Sequence, residues 1–247
     1  HEGADACILA CVEECSNGES CTECRVFEFT SSLPLDKASR EAEGRAVFAE
    51  VERYFEAYDY FVRTKRTFVE VKSAVSQDGF MGCVDKAGNH LPLAITKQGA
   101  NCWNHELRAM SDAVLVGAGT LLADNPGLDV RYAAGNNPVK IVWAGHHEFT
   151  ADEISRLKIF SASDAKPIVF SCVAQPKLLN VAECVILLND SFAENWRAMV
   201  DDLSARGMHR LMVEPGARLA RELFNGESLW NRLDLWRSTD SAVEEKL

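Results

Sequence analysis

Three stretches of the chain place reactive polar side chains directly after apolar runs of strand-like sequence. The first begins in the apolar run around Lys72 and continues into a Ser-Gln-Asp-Gly turn at residues 76–79. A lysine ammonium, a hydroxyl group and backbone amides can meet at such a strand end and bind a polar ligand. A hairpin turn that starts at Asp78 and Gly79 accounts for the same residues, because this pair favours turns. Both interpretations stay open from these residues alone.

The second stretch is the most informative one and follows the apolar run 113–116. Gly-Ala-Gly-Thr at residues 117–120 lacks bulky side chains, so the backbone can approach a phosphate or a planar ring. It is not the Gly-x-Gly-x-x-Gly fingerprint of dinucleotide sites, and it lacks the lysine of a phosphate-binding P-loop. Asp124 follows on a predicted turn, where its carboxylate can accept a hydrogen bond from a ligand. A tight strand–helix connection explains the pattern equally well.

The third stretch ends a strand on Glu214, turns at Pro215 and Gly216, and begins a helix at Ala217. The amides of a helix start suit a pyrophosphate, and a glutamate at a strand tip suits a polar ligand. An ordinary strand–helix turn with a solvated glutamate is the alternative.

Alternating strands and helices must position these residues. The strands predicted after residue 66 span residues 67–73, 113–117, 139–143, 167–170, 184–188 and 210–214, and the helices span residues 99–110, 194–206 and 217–224. The strands are short and apolar, as in a mostly parallel sheet that is buried on both faces. We therefore predict an α/β domain at residues 67–247 that binds its ligand at the carboxyl ends of the strands.

Residues 1–66 lack the regular alternation of strands and helices that follows them, so we place a domain boundary after residue 66. They carry 14 acidic and 8 basic side chains, about half of the negative excess. A four-residue repeat of Cys7, Cys11 and Cys15 predicts a helix at the start, and residues 25–30 alternate as a strand does. An apolar stripe predicts a long amphipathic helix over residues 39–62.

Composition excludes several classes of function. The 247 residues include 26 Lys+Arg and 37 Asp+Glu, a net charge of −11, which argues against binding to nucleic acid or to an anionic membrane surface. No apolar run approaches the roughly 20 residues of a membrane span. The first residues lack the basic region of a signal peptide, and without an initiator methionine we expect a processed or trimmed chain.

The nine cysteines lack the even number and regular spacing of a disulfide framework. Reduced thiols in the cytoplasm or an organelle matrix are therefore expected. Cys21 and Cys24 form a Cys-x-x-Cys pair that could hold zinc together with nearby thiols. Because the cysteines at positions 7, 11 and 15 fall on one face of the predicted helix, we predict buried thiols and no bound metal.

The three stretches, in this order, resemble the reductase domain of the bifunctional riboflavin-biosynthesis deaminase/reductase family. The matching features are Lys72 with Ser76, Asp78 and Gly79; Ile95 and Thr96; Leu107, Arg108 and Ala109; the run 111–120; Leu122 to Pro126; Leu128; Val130 and Arg131; and the run 213–216. The resemblance covers roughly residues 55–237. It implies a dihydrofolate-reductase-like fold, NADPH as the cofactor and a pyrimidine phosphoribosyl compound as the substrate.

The resemblance also implies roles for individual residues. The cofactor would be bound by Ala74, Thr96, Gly117, Thr120, Asp124, Gly145, Gly216, Ala217, Arg218 and Leu219. The substrate would be bound by Arg108, Leu128, Arg131 and Glu214, and catalysis would depend on Asp124 and Lys72. The implied reaction is hydride transfer to the sugar C1′ of 5-amino-6-(5-phosphoribosylamino)uracil, which opens the ribose to a ribitol. Two guanidinium groups suit a 5′-phosphate because they are fully charged and can bind in a bidentate manner.

The sequence departs from the family pattern in three places. Pro92 and Ala94 stand where the family often has a serine that contacts substrate and a tryptophan that packs on the cofactor. The sequence ends soon after Arg237, so we expect a shortened sheet edge or a partner chain that covers it. Residues 1–66 are similar to a remnant of the deaminase domain with its motifs lost: Gly3 occupies the catalytic glutamate position, which predicts an inactive deaminase.

Three functions remain open from the sequence. The first is an NADPH-dependent reductase of riboflavin biosynthesis, with the chain as a homodimer or a subunit of a larger complex. The second is a catalytically inactive descendant that serves as a structural subunit, and the third is a related NADPH reductase of another pterin-like or pyrimidine substrate.

Overall fold

The computed structural model describes residues 6–8, 27–29, 37–75, 81, 83–84, 90–91, 98–161, 165–225 and 228–237. The chain divides into two compact units, residues 1–56 and residues 57–247. The dividing point falls inside a long helix, and each unit is described by itself.

The first unit contains two short strands and the start of the long helix. Strand β1 (Ala6–Ile8) pairs in an antiparallel manner with β2 (Phe27–Phe29), and helix α1 spans Lys37–Thr64. The predicted strand and long helix are confirmed. The predicted helix at the start of the chain is wrong at Ala6–Ile8, because pairing with β2 satisfies the backbone of these residues in an extended conformation. The predictions for Cys11, Cys15, Cys21 and Cys24 lie outside the described residues.

The second unit is built on a sheet of seven strands in the described part of the chain. These are β3 (Phe68–Val75), β6 (Ala113–Gly117), β7 (Val139–Gly145), β8 (Ile168–Ser171), β9 (Glu183–Ile186), β10 (Arg210–Val213) and β11 (Arg232–Arg237). Their order is β11-β3-β10-β6-β7-β8-β9, and every neighbouring pair is parallel. The predicted parallel α/β domain is thereby confirmed. A separate short hairpin joins β4 (Cys83–Val84) to β5 (His90–Leu91).

Helices cover both faces of the sheet. They are α2 (Gln98–Ala109), α3 (Ala118–Asp124), α4 (Ala151–Arg156), α5 (Lys158–Ser161), α6 (Phe192–Ala205) and α7 (Ala217–Leu223), with a 3-10 turn at Pro176–Leu178. Leu115 and Val213 belong to a core with Trp196 of α6, whereas Val116 packs into a second core with Leu107 of α2. The alternation of strand side chains between the two cores accounts for the apolar strands that the sequence shows.

Several elements were not predicted from the sequence. Helix α3 replaces the turn expected around Asp124, and it ends at Asn125, whose φ of 43° gives a left-handed cap. The Asn125 amide then donates to the carbonyl of Arg156 and accepts from the backbone N–H of Lys158. Strand β11 was also missed, since its pairing with β3 depends on a strand more than 150 positions earlier in the sequence.

The order of the strands creates a crevice. The chain passes from β3 to β6, proceeds outward to β9, and returns to place β10 between β3 and β6. Connections leave in opposite directions on either side of β10, and ligands of parallel α/β sheets bind at the carboxyl ends of strands where such a reversal occurs. The ligand site is therefore expected at the ends of β3, β10 and β6.

Candidate active site

The carboxyl ends of three adjacent strands bring charged side chains together. Lys72 lies in the second half of β3, and Glu214 follows the last residue of β10. The backbone N–H of Glu214 donates to the carbonyl of Leu115 at 2.9 Å, which ties the end of β10 to β6. Arg108 reaches the same place from the last turn of α2. Two cations and one carboxylate thus share one edge of the sheet.

Arg108 and Glu214 form a two-pronged ion pair. Arg108 Nε donates to Glu214 Oε1 at 2.6 Å and Nη2 donates to Oε2 at 2.9 Å. Arg108 Nη1 also donates to the carbonyl of Asp129 at 3.1 Å. Side-chain exposure is 8% for Arg108 and 18% for Glu214, so the carboxylate is the more accessible partner. The arginine therefore holds the Glu214 carboxylate in a fixed orientation at this edge of the sheet.

Lys72 is half-buried beside this pair. Burial is the main cause that lowers the pKa of the Lys72 ammonium; the nearby Arg108 lowers it further, and Glu214 opposes both. A lysine with a lowered pKa releases its proton more readily than a solvated one. The position is thus suited to proton transfer to a bound molecule.

A loop after α3 carries the other predicted substrate residues. Leu128 is buried, with a φ of 56° in the left-handed region, and Val130 N–H donates to Asn137 Oδ1 at 2.8 Å. The Arg131 side chain is 58% exposed, and its Nε lies 3.8 Å from the Asp129 carboxylate. Arg131 is therefore an accessible cation at the margin of the charged cluster, whereas Arg108 is an internal one.

His105 joins this loop to α2 and was missed by the sequence reasoning. The backbone N–H of Arg131 donates to His105 Nδ1 at 3.0 Å, and the His105 ring meets the Tyr132 ring edge to face at 4.8 Å. The sequence could have indicated that His105 lies beside Arg108, because residues three positions apart share one face of a helix. The pattern of polar residues alone did not show that this face meets the loop.

Two glycines allow the helix starts at this edge to approach one another. A Cβ atom on Gly216 would lie 2.4 Å from Thr120 Oγ1, so only glycine fits there without displacing Thr120. Gly216 precedes α7 and Gly117 precedes α3, and within the described residues neither helix start has a side-chain cap. Leu219 packs 3.7 Å from the Cβ position of Gly117. The backbone amides of α3 and α7 thus remain at one edge, where negative charge is favoured.

Most of the predicted cofactor residues lie at carboxyl ends of strands or directly after them. Ala74 is near the end of β3, and Gly145 ends β7 with a φ of 56° that favours glycine. Asp124 is the last residue of α3 and is exposed, yet partial burial raises the pKa of its carboxyl. Ala217, Arg218 and Leu219 form the first turn of α7. Thr96 lies outside the described residues, as do Pro92 and Ala94.

The described residues contain neither a metal-binding cluster nor a membrane-spanning helix. In the described part of the chain, no group of three or more His, Cys, Asp or Glu side chains is arranged to hold a metal ion. Cys102, Cys172 and Cys184 have free thiols. Among the described residues, no helix combines the length and apolar character needed to cross a membrane.

The fold and the site define a class of protein: a three-layer α/β domain with charged side chains gathered at the carboxyl edge of a parallel sheet. Comparison with known protein families identifies the family within this class. The model of the RibD C-terminal domain matches residues 67–235, which include β3 and most of β11. The chain belongs to the RibD C-terminal domain family.

Individual relatives agree with this assignment. A 2,5-diamino-6-ribosylamino-4(3H)-pyrimidinone 5′-phosphate reductase of Aquifex aeolicus is 31% identical over 160 residues, covering 63% of this chain and 69% of the relative. The Saccharomyces cerevisiae protein of the same name is 29% identical over 136 residues, and the match covers 56% of that protein.

Solved structures show the same fold. The riboflavin biosynthesis reductase Rib7 of Saccharomyces cerevisiae superposes with a TM-score of 0.56 at 22% identity, over 75% of this chain and 81% of that one. A deaminase/5-amino-6-(5-phosphoribosylamino)uracil reductase from Thermotoga maritima gives a TM-score of 0.56 at 24% identity, over 79% and 57% of the two chains.

Proposed function

We propose that this chain is an NADPH-dependent reductase of riboflavin biosynthesis that converts a ribosylaminopyrimidine 5′-phosphate to its ribitylamino product. The match of the RibD C-terminal domain over residues 67–235 carries the proposal. The relatives named as reductases and the charged crevice at the ends of β3, β10 and β6 support it. No observation favours a catalytically inactive subunit or a different pterin-like substrate.

The edge formed by α3 and α7 fits a nicotinamide cofactor. Gly117 and Gly216 place no side chain of their own at the two helix starts, and the amides there suit the pyrophosphate. NADPH, when bound, supplies a hydride. In this proposal Thr120 and Asp124 orient the cofactor by hydrogen bonds, while Gly117 and Gly145 allow the backbone to approach it.

The charged cluster and the loop after α3 would bind the substrate. Arg131, as the exposed cation, binds the 5′-phosphate. Glu214 accepts hydrogen bonds from the pyrimidine or the ribose, and Arg108 contributes by holding Glu214 in place. The Lys72 ammonium would give its proton to the ring oxygen of the ribose when the bond from that oxygen to C1′ breaks during the reduction. The products are then the ribitol side chain and a neutral lysine that regains a proton from solvent.

The pyrimidine could carry either of two groups at its second carbon. The sequence predicts the uracil form, and the Thermotoga maritima enzyme is named for it. The Aquifex aeolicus and yeast relatives are named for the 2,5-diaminopyrimidinone form. Both forms share the ribosylamino group and the 5′-phosphate that the crevice would bind, so both need to be assayed.

The test is turnover by the purified chain. Each pyrimidine is incubated with NADPH or NADH, loss of nicotinamide absorbance is followed, and mass spectrometry of the product must show a gain of two hydrogens. We expect turnover with NADPH and at least one pyrimidine, and none with the ribose-free pyrimidine base. Absence of turnover with both pyrimidines would contradict the proposal and favour the inactive-subunit alternative.

Three further assignments belong to the same proposal. Residues 1–66 are a deaminase remnant without activity, the chain is a homodimer or a subunit of a larger complex, and it acts in the cytoplasm or an organelle matrix. Light scattering of the purified chain measures its mass in solution, and an ammonia-release assay with the 2-amino pyrimidine tests the deaminase.

A further inference from the structure

His105 links the helix that carries Arg108 to the loop that carries Arg131. The residue is 4% exposed, and it contacts the loop twice. Its Nδ1 accepts the backbone N–H of Arg131, and its ring packs edge to face on Tyr132. Arg108 supplies a third link through its bond to the Asp129 carbonyl. The segment 129–132 is thus held to α2 by neighbouring side chains of one helix face.

The hydrogen bond determines the protonation state of the imidazole. Nδ1 can accept the Arg131 N–H only through its lone pair, so the ring must be neutral with its proton on Nε2. A proton added at Nδ1 would face the Arg131 N–H, and two donors cannot bond to each other. Protonation therefore removes this link rather than weakening it slightly.

Charged groups around the ring favour the neutral form. Arg108 of α2 and Arg131 of the loop oppose a third positive charge, while Glu214 after β10 and Asp129 of the loop favour it. Burial has the largest effect, and the balance lowers the pKa of His105 below its usual value near 6.5. The link is intact at neutral pH and is lost as the pH falls through this lowered pKa.

We propose that His105 is a positioning residue, which fixes the Arg131 loop in its phosphate-binding position through a neutral imidazole and releases the loop when it is protonated. This inference rests on the proposed function, since Arg131 is there the phosphate-binding residue. His105 touches neither the cofactor nor the reacting atoms in this scheme. Its effect appears in substrate affinity and its pH dependence, and not in the chemical step.

Two substitutions separate the hydrogen bond from the ring packing. His105→Phe keeps an aromatic ring against Tyr132 and removes the acceptor. His105→Asn restores an acceptor, because its Oδ1 occupies the place of Nδ1, and it does not titrate. Glu106→Gln is the matched control, as Glu106 is exposed on the same helix.

The proposal predicts how the KM changes in each of these three variants. His105→Phe raises the KM for the phosphorylated substrate about threefold, less than the loss of Arg131 itself, because one part-buried donor loses its acceptor, with kcat within about twofold. His105→Asn and Glu106→Gln keep the wild-type KM at neutral pH. The ratio of wild-type KM to His105→Asn KM rises as the pH falls through the lowered pKa of His105; titration of the substrate phosphate cancels in this ratio. A wild-type KM in His105→Phe, or a constant ratio, overturns the inference.

A measurement without turnover separates this inference from the proposed function. Imidazole nitrogen NMR of histidine-labelled protein has six histidines to resolve, and His105 is assigned by the signal that His105→Asn lacks. We expect an unprotonated Nδ1 at neutral pH and a titration midpoint below about 6.5. A protonated Nδ1 at neutral pH overturns the inference, whether or not the enzyme is active. An inactive wild type with the expected NMR signature contradicts the proposed function alone.

Discussion

In the described part of the chain, one arginine–glutamate pair lies near each end of the strands of the sheet. At the amino ends, Arg210 of β10 donates from Nη1 to Glu70 Oε2 of β3 at 2.6 Å, with side-chain exposures of 2% and 0%. At the carboxyl ends, Arg108 and Glu214 form the two-pronged pair, with exposures of 8% and 18%. The chemistry of the two pairs is the same, but their surroundings differ.

The difference shows what turns an ion pair into a candidate site. Both members of the Glu70–Arg210 pair come from strands, and the covering layers leave no access to a ligand. Glu214 instead follows its strand, receives its partner from a helix, and lies within electrostatic reach of Lys72. Its partial exposure and the neighbouring titratable cation are the reasons why we propose that the second pair binds a ligand. We therefore expect the amino-end pair to determine stability and the carboxyl-end pair to determine activity.

The largest expected effect is on stability at the amino-end pair. Glu70→Gln removes the buried carboxylate to which Arg210 Nη1 donates, and we expect the free energy of unfolding to fall by about 3–5 kcal/mol. Urea denaturation measures this change. As a control, replacing both residues by methionine removes the charges together and should cost far less. A single variant that unfolds like wild type would contradict the distinction between the two pairs.

We expect the carboxyl-end pair to affect activity more strongly than stability. Glu214→Gln is expected to lower kcat/KM on the order of 100-fold, since a charged partner of both ligand and Arg108 is lost, while the free energy of unfolding falls by about 1–3 kcal/mol. Steady-state kinetics and urea denaturation are measured on the same preparation. Glu183→Gln is the control, because its pair with Arg206 is partly exposed and should affect neither quantity strongly.

Asp124→Ala extends the comparison to the proposed cofactor edge. The side chain is exposed at the end of α3, so we expect the free energy of unfolding to change by no more than about 0.5 kcal/mol. The reductase activity should fall about tenfold or more, because Asp124 would no longer orient the cofactor. Unchanged turnover would remove Asp124 from the site.

The smallest effect is expected at the exposed cation. Arg131→Ala should raise the KM for the phosphorylated substrate about fivefold and leave kcat unchanged, because a phosphate contact binds ground and transition states alike. Stability should not change measurably, since its contact with Asp129 is long and exposed. A loss confined to kcat would contradict the phosphate role.

The sequence alone determined the alternation of strands and helices and most of the residues at the strand ends. Lys72, Gly117 and Glu214 follow or interrupt apolar runs, and that local pattern is readable because strand burial and turn preference depend on adjacent residues. The resemblance added the family and the residue roles. The deaminase remnant, the cofactor preference and the individual site roles stay predictions.

The tertiary structure alone decided which of these residues meet. Arg108 and Glu214 are separated by 106 positions, and they pair only because β10 inserts between β3 and β6. The same insertion buries Glu70 against Arg210, which no local pattern distinguishes from a surface pair. The contacts of His105 with the Arg131 loop depend on the orientation of α2, which the sequence does not show. Local periodicity is a property of residues within a few positions of each other, whereas strand order and helix orientation depend on which distant surfaces bury each other best.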